Sequence, residues 1–208
     1  MRLTVFGASG GTGHELVRQG LAAGHHVTAV VRDPARIASL EAHPALTVFT
    51  AELTGPEALR PAVRDADLVI SALGVRSNEE AGVVAPATAA VLAAIDPATV
   101  RRFLAISASP VGPPAGEEEF YVPIQNDLKA LYADLTDMEE RIREDSPVAW
   151  TVVRPPQLVD EPLTTKYRTE FGGSAPRGMS ISRADLAHAL LTLAQDERAE
   201  RQVVGVAY

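Results

Sequence analysis

The sequence predicts an α/β protein: one doubly wound domain with a mostly parallel sheet and helices on both faces. Three observations predict it. Apolar runs of strand length alternate with stretches of helical spacing along the 208 residues. Those runs are apolar along nearly their whole length, the pattern of strands covered on both faces. A glycine array joins the first run to the first helical stretch. The length suits one well-buried core, so residues 1–208 are read as a single domain.

The elements follow in order. Leu3-Thr4-Val5-Phe6 is the first strand. Residues 11–23 carry Leu16, Val17, Leu21 and Ala22 at helical spacing, and Gly24 is the stop. Val27 to Val31 is a strand, residues 34–40 a short helix with proline at its start, and residues 46–49 the third strand. A helix over 56–63 leads to a strand over 67–71, then an alanine-rich helix over 84–95 and a strand over 102–106. The longest helix is expected over 126–143, strand six over 150–153, a last helix over 183–194 with Ser182 as N-cap, and a final strand over 202–206. Two stretches, 107–125 and 155–178, resist assignment. Both follow strands and so lie over the carboxyl edge of the sheet, where open α/β folds bind ligands.

Composition narrows the function. The balance of 19 basic and 27 acidic residues, net −8, opposes nucleic-acid binding as the main role. With no cysteine, thiolate chemistry, disulfides and Cys-ligated metals are excluded. His14, His25, His26, His43 and His188 lack metal-ligand spacing with carboxylates, so no metal site is expected. No signal peptide and no bilayer-spanning run is read, and a soluble cytoplasmic protein is expected, with no membrane partner.

Gly7-Ala8-Ser9-Gly10-Gly11-Thr12-Gly13 stands between the first strand and its helix. In a Rossmann-type fold Gly7 allows the tight turn, Gly10 admits a pyrophosphate and Gly13 packs the helix on the sheet. The helix N-terminus supplies free N–H groups, and Ser9 and Thr12 add hydroxyls. No Gly-Lys-Ser/Thr follows, so this is not a nucleoside-triphosphate loop. Strand two ends Val31-Arg32-Asp33-Pro34-Ala35-Arg36, where NAD binders usually place an acidic residue for the ribose 2′-OH. Arg32 and Arg36 instead suit a 2′-phosphate, with Asp33 capping the next helix, and favour NADP(H) over NAD as cofactor. A solvated helix face is the other reading of Arg36.

These residues, together with Ala72-Leu73-Gly74-Val75-Arg76-Ser77-Asn78, Arg154-Pro155-Pro156-Gln157-Leu158-Val159-Asp160-Glu161-Pro162-Leu163-Thr164 and Ile181-Ser182-Arg183-Ala184-Asp185-Leu186, make the chain resemble the atypical short-chain dehydrogenase/reductases. That group includes the NmrA-like NAD(P)-binding proteins, and the chain is most similar to its biliverdin-IXβ reductase/flavin reductase branch over nearly its whole length. The resemblance implies an NADPH-dependent reductase of flavins or related conjugated molecules. It implies Glu52 and Leu53 near the adenine, and Leu73 and Gly74 along the ribose and phosphates with Arg76 close by. It implies Ile106, Ser107 and the Pro155-Pro156 turn around the nicotinamide, and Arg32 and Arg36 at the 2′-phosphate. Ala108 stands where the pattern has an active-site serine, Gln157 where it has a histidine, and 107–125 does not match closely. Cofactor class therefore carries over better than substrate.

Short-chain dehydrogenases use Tyr-x-x-x-Lys for proton transfer. Here Gln125 follows Tyr121 and Thr136 follows Tyr132 at that spacing. Many NmrA-like relatives carry a lysine one turn before a helix glutamate ahead of strand six; Glu140 and Thr136 occupy those positions. Conjugated acceptors need only stacking and close approach for hydride transfer. Ser107 and Ser109 are catalytic candidates that would orient a substrate carbonyl or the carboxamide, and equally suit an ordinary turn. Glu117, Glu118 and Glu119 read as a solvated loop tip. Phe120 and Tyr121 either fold over a planar ligand or pack locally. Lys166, Tyr167 and Arg168 either contact an anionic substrate or form a short strand. The expected function is an NADPH-dependent reductase of a flavin, quinone or other conjugated small molecule, acting as a monomer or weak homo-oligomer. A non-enzymatic NADP(H)-sensing regulator and a biosynthetic tailoring reductase are the alternatives.

Overall fold

The computed structural model describes residues 1–40, 43–75 and 77–208. An eight-stranded sheet runs through its centre, built on β1 (Arg2–Phe6), β2 (His26–Val31), β3 (Leu46–Thr50), β4 (Leu68–Ser71), β5 (Arg102–Ile106) and β6 (Ala149–Arg154). Strands β7 (Gln157–Val159) and β9 (Ser180–Ser182) pair separately in parallel, with Val159 beside Ser182. Strands β8 (Arg168–Phe171) and β10 (Gln202–Ala207) complete the main sheet, in the order β3-β2-β1-β4-β5-β6-β10-β8. Every pairing in it is parallel except β10 with β8. The connection reverses direction between β1 and β4, which is where a doubly wound sheet opens its ligand crevice.

Among the described residues, six α-helices cover the faces: α1 (Gly11–Ala22), α2 (Pro56–Val63), α3 (Val84–Ala94), α4 (Glu118–Asp127), α5 (Lys129–Asp145) and α6 (Arg183–Leu193). The pleat sorts the core into two layers. Leu3 and Val5 of β1 pack with Leu16, Val17 and Leu21 of α1 and Leu186 and Leu190 of α6. Phe6 packs on the other face with Leu59, Val91, Phe103, Met138 and Ile142 from α2, α3, β5 and α5. Thr4, pointing to that second face, satisfies its buried hydroxyl by donating to the Ala62 carbonyl at 2.7 Å. Helix α1 ends as the sequence predicts, with Gly24 at φ +77° and its N–H donating to the Leu21 carbonyl. Ser182 caps α6 by accepting from the Asp185 N–H at 2.9 Å.

Three elements differ from the sequence expectation. The long helix expected over 126–143 is two helices, α4 and α5, broken at Leu128, which sits at φ −119°, ψ 38°. The segment 107–125 therefore ends in helix, with Glu118 and Glu119 in its first turn rather than in a loop tip. Residues 34–40 form a 3₁₀ helix. The segment 155–178 contains β7 and β8, and residues 180–182 add β9. Among the described residues, no helix is long and apolar enough to cross a membrane.

Candidate functional site

The glycine array turns sharply out of β1. Gly7 adopts φ +72°, and a Cβ there would lie 2.6 Å from the Ala72 carbonyl oxygen, so only glycine fits. The Gly10 N–H donates to the Gly7 carbonyl at 3.0 Å and closes the turn. A Cβ on Gly13 would collide with that same carbonyl, which is how closely α1 packs on the loop. Gly10 is the N-cap of α1 and offers no side-chain cap, and the first turn holds no acidic residue. The first-turn N–H groups and the positive end of the helix dipole are left to an external anion. This cradle fits a dinucleotide pyrophosphate.

A cavity of about 320 Å³ opens beside the loop. Gly7, Ser9 and Gly10 form one wall, Leu53, Leu73 and Gly74 another, and Arg32 and Arg36 the rim. Both arginines are exposed, and among the described residues neither has an ion-pair partner. Asp33 is occupied elsewhere: its carboxylate accepts from the Ala35 N–H at 3.1 Å and caps the 3₁₀ helix. A second cavity of about 670 Å³ shares Arg32, Leu53, Leu73 and Gly74 and adds Glu52, Val83, Val84 and Pro86. Its far wall is the start of α3, pinned by Asp134 of α5. One Asp134 oxygen accepts from the N–H groups of Gly82, Val83 and Val84 at 2.8, 3.1 and 3.0 Å, and the other from Ala85 at 3.0 Å. Thr12 and Gly13 are buried under the loop, and Gly11 is exposed on its outer side. Arg76 lies outside the described residues.

A third cavity, about 300 Å³, lies over the ends of β5 and β6. Its walls are Ala108, Pro110, Pro155 and Pro156 with Phe120, Tyr121, Ile124, Tyr132 and Met179; Gln157 stands at its edge. Among the described residues, no carboxylate, lysine, arginine or histidine lines it. Burial raises the pKa of both Tyr121 and Tyr132, and for Tyr121 the charge of Glu117 adds to the shift while a hydrogen bond with Ser109 opposes it. Both phenols are neutral at neutral pH.

Ile106 is half-buried at the end of β5 and packs on the α1 side of the core. Ser107 and Ser109, next along the chain, are not on the cavity wall. Ser107 is buried and donates its hydroxyl to Glu139 Oε1 at 2.6 Å. Glu139 is itself held by Arg154, through Nε at 2.8 Å and Nη2 at 2.7 Å, and by Arg143 at 2.6 Å. Ser109 is buried and donates to the Arg154 carbonyl at 3.3 Å. The carboxylate that reaches the strand edge is thus Glu139 and not Glu140, which is exposed, and Thr136 bonds back to the Tyr132 carbonyl of its own helix. The apolar stripe of α5 marks Glu139, since it falls between Leu135, Met138 and Ile142 on the buried face.

The segment after β7 is tied down by Asp185, fully buried at the start of α6. It accepts from the N–H groups of Thr164 and Thr165 at 3.0 and 2.7 Å, and from the hydroxyls of Thr164 and Tyr208, both at 2.7 Å. Burial alone would raise its pKa, but these donors outweigh burial and hold the carboxyl below its ordinary value. Thr165 takes φ 60° at this anchor. Lys166 and Arg168 are exposed, and the Tyr167 hydroxyl bonds to His188 Nδ1 at 2.7 Å. Among the described residues no group of His, Asp and Glu has the arrangement to hold a metal ion.

A family model described as NAD(P)H-binding matches residues 7–197. The chain belongs to this family. The match begins at the glycine turn and spans the loop, the arginine pair and all three cavities. A short-chain dehydrogenase/reductase from Veillonella parvula, solved in complex with NADP, superposes with a TM-score of 0.82 at 23% identity over 100% of this chain and 94% of that one. ChuY, an anaerobilin reductase from Escherichia coli O157:H7, gives 0.78 at 22% identity, covering 100% and 97%. A candidate NADH-flavin reductase from Streptococcus pneumoniae gives 0.77 at 22% identity, covering 100% and 99%. The fold is shared with these proteins, and the NAD(P)-binding family read from the sequence is borne out.

Proposed function

We propose that this protein is an NADPH-dependent reductase that transfers hydride to a flavin, a quinone or another conjugated small molecule. The observation that carries the choice of NADPH is the pair Arg32 and Arg36 on the rim of the phosphate-loop cavity, which Glu80 also lines; both guanidinium groups are exposed and, among the described residues, neither is held in an ion pair. Two guanidinium groups are suited to a 2′-phosphate, and Asp33, the residue an NAD-type site would use, is spent on a helix cap. In this reading Gly7, Ser9, Gly10, Gly11, Thr12 and Gly13 hold the pyrophosphate, and Glu52, Leu53, Leu73 and Gly74 border the adenosine half.

Bound NADPH supplies the hydride. The chain supplies position and a dry surface. Pro155, Ala108 and Tyr132 offer apolar surface against which a conjugated ring would stack, and the exposed Phe120 and Met179 on the same cavity would shield it from water. With two neutral phenols and no charged group on the wall, the cavity selects planar, largely uncharged acceptors. Such acceptors need no dedicated acid. Ser107 and Ser109 position the β5 edge through Glu139 and Arg154 in this account, rather than exchanging protons with substrate. The protein acts in the cytoplasm as a monomer or weak oligomer.

The test is steady-state NADPH oxidation with FMN, riboflavin and a panel of quinones. Acceptor-dependent oxidation supports the reductase. A protein that binds NADPH tightly and turns over no acceptor would instead be an NADP(H)-sensing regulator, a reading favoured by the internal bonding of both serines.

A further inference from the structure

Arg183 stands where no sequence motif for cofactor binding places a residue. It follows β9 and opens α6, while Asp160 follows β7. The parallel register, Val159 beside Ser182, sets these next residues side by side, and Arg183 Nη1 bonds Asp160 Oδ1 at 2.6 Å. The stem of Arg183 crosses the outer side of the phosphate loop: a Cβ on Gly11 would lie 2.5 Å from its Cδ and 2.9 Å from its Nε. Gly11 has no positive φ, so its missing side chain serves to admit this arginine rather than to permit a turn. The approach is fixed from beneath, because Gln19 of α1 donates to the Ala184 carbonyl at 2.8 Å and locks α1 to α6 next to Arg183.

The pair is unequal. The Arg183 side chain is 29% exposed against the loop, whereas Asp160 is 86% exposed. A pair so open to water holds weakly and exchanges readily for a better anion. A pyrophosphate at the α1 N-terminus is such an anion, carrying more charge and already oriented by the helix. We propose that Arg183 is a third arginine of the dinucleotide site, a positioning residue that contacts the pyrophosphate from the α6 side, with Asp160 holding it over the loop until cofactor binds. This rests on the cofactor site described under the proposed function. It also couples that site to β7, whose first residue, Gln157, borders the acceptor cavity.

The test compares dissociation constants of the wild type and of Arg183→Ala, Arg183→Lys, Asp160→Asn and Gly11→Ala for NADP⁺, NAD⁺ and 2′-AMP, with thermal melting of each variant. Arg183→Ala is expected to weaken NADP⁺ and NAD⁺ by the same factor, about tenfold. It should leave 2′-AMP unchanged, because that ligand carries no pyrophosphate. Arg183→Lys recovers part of the loss, Gly11→Ala reproduces it by displacing the arginine, and Asp160→Asn binds as well as the wild type or more tightly. Unchanged dinucleotide affinity in Arg183→Ala would overturn the proposal. So would an equal loss in Asp160→Asn, the behaviour of a structural strut. Should Arg183→Ala melt early, Arg183→Lys and Asp160→Asn still decide between these outcomes. A wild type that binds neither dinucleotide would overturn the cofactor site itself, which is a different result.

Discussion

Asp134 joins stability to the proposed cofactor site. Its two carboxylate oxygens accept four successive N–H groups at the start of α3. Asp134→Ala removes all four acceptors, but their fates differ. Gly82 and Val83 are exposed, so water takes over; Val84 and Ala85 are buried, and their N–H groups are stranded. At about 1–2 kcal/mol for each stranded donor, the loss is roughly 3 kcal/mol. In a chain of 208 residues that lowers Tm by about 6–12 °C. Because Val83 and Val84 also wall the second cavity, NADPH affinity should fall with stability. Asp134→Asn keeps an oxygen acceptor and should lose less than half as much. Circular-dichroism melting of the two variants, with NADPH titration below their midpoints, reads both effects. An alanine variant melting within about 2 °C of the wild type would refute this assignment of the α3 terminus.

Three further perturbations have definite outcomes. Gly7→Ala places a Cβ against the Ala72 carbonyl at φ +72° and should cost about 1–3 kcal/mol while abolishing measurable NADPH binding, checked by melting and fluorescence titration. Glu139→Ala leaves Arg154, only 12% exposed, beside an unpaired Ser107 hydroxyl; a loss of about 3–5 kcal/mol is expected by chemical denaturation, whereas Ser107→Ala alone costs about 1 kcal/mol. Asp185 has a folded pKa below its ordinary value, so its contribution is complete above about pH 4 and is lost as pH falls through the lowered folded value. Proteolysis within 160–167 should therefore accelerate in acid, and Tyr208→Phe, which removes one donor, should move that onset to higher pH.

The sequence was most readable where the physics is local. Strands β1 to β6 are apolar enough to identify singly, Gly24 and Ser182 announce helix ends, and Gly7 to Gly13 lie where only a strand-to-helix turn uses them. Strands β7, β8 and β9 escaped because three- and four-residue strands carry no period, and their partners lie tens of residues away, whereas the longer β10 was legible as the final strand. The break at Leu128 has no proline or glycine to announce it. Residues 118–125, which resist assignment from the sequence, are helical even with Pro123 inside the helix. At the site, glycines and arginines advertise themselves by type. Glu139, Asp134 and Asp185 do not, since their roles depend on which backbone or arginine arrives from another element. Glu139 alone left a trace, in the buried stripe of α5, one position from the glutamate that family spacing suggested.

The central claim is tested most directly by titrating the wild type and Arg32→Ala with NADPH and NADH, following Trp150 quenching and cofactor fluorescence. NADPH should bind the wild type much more tightly than NADH, and Arg32→Ala should erase that preference while leaving NADH affinity nearly unchanged. Equal affinities in the wild type, or a preference that survives in Arg32→Ala, would contradict the assignment of this pocket to a 2′-phosphorylated dinucleotide.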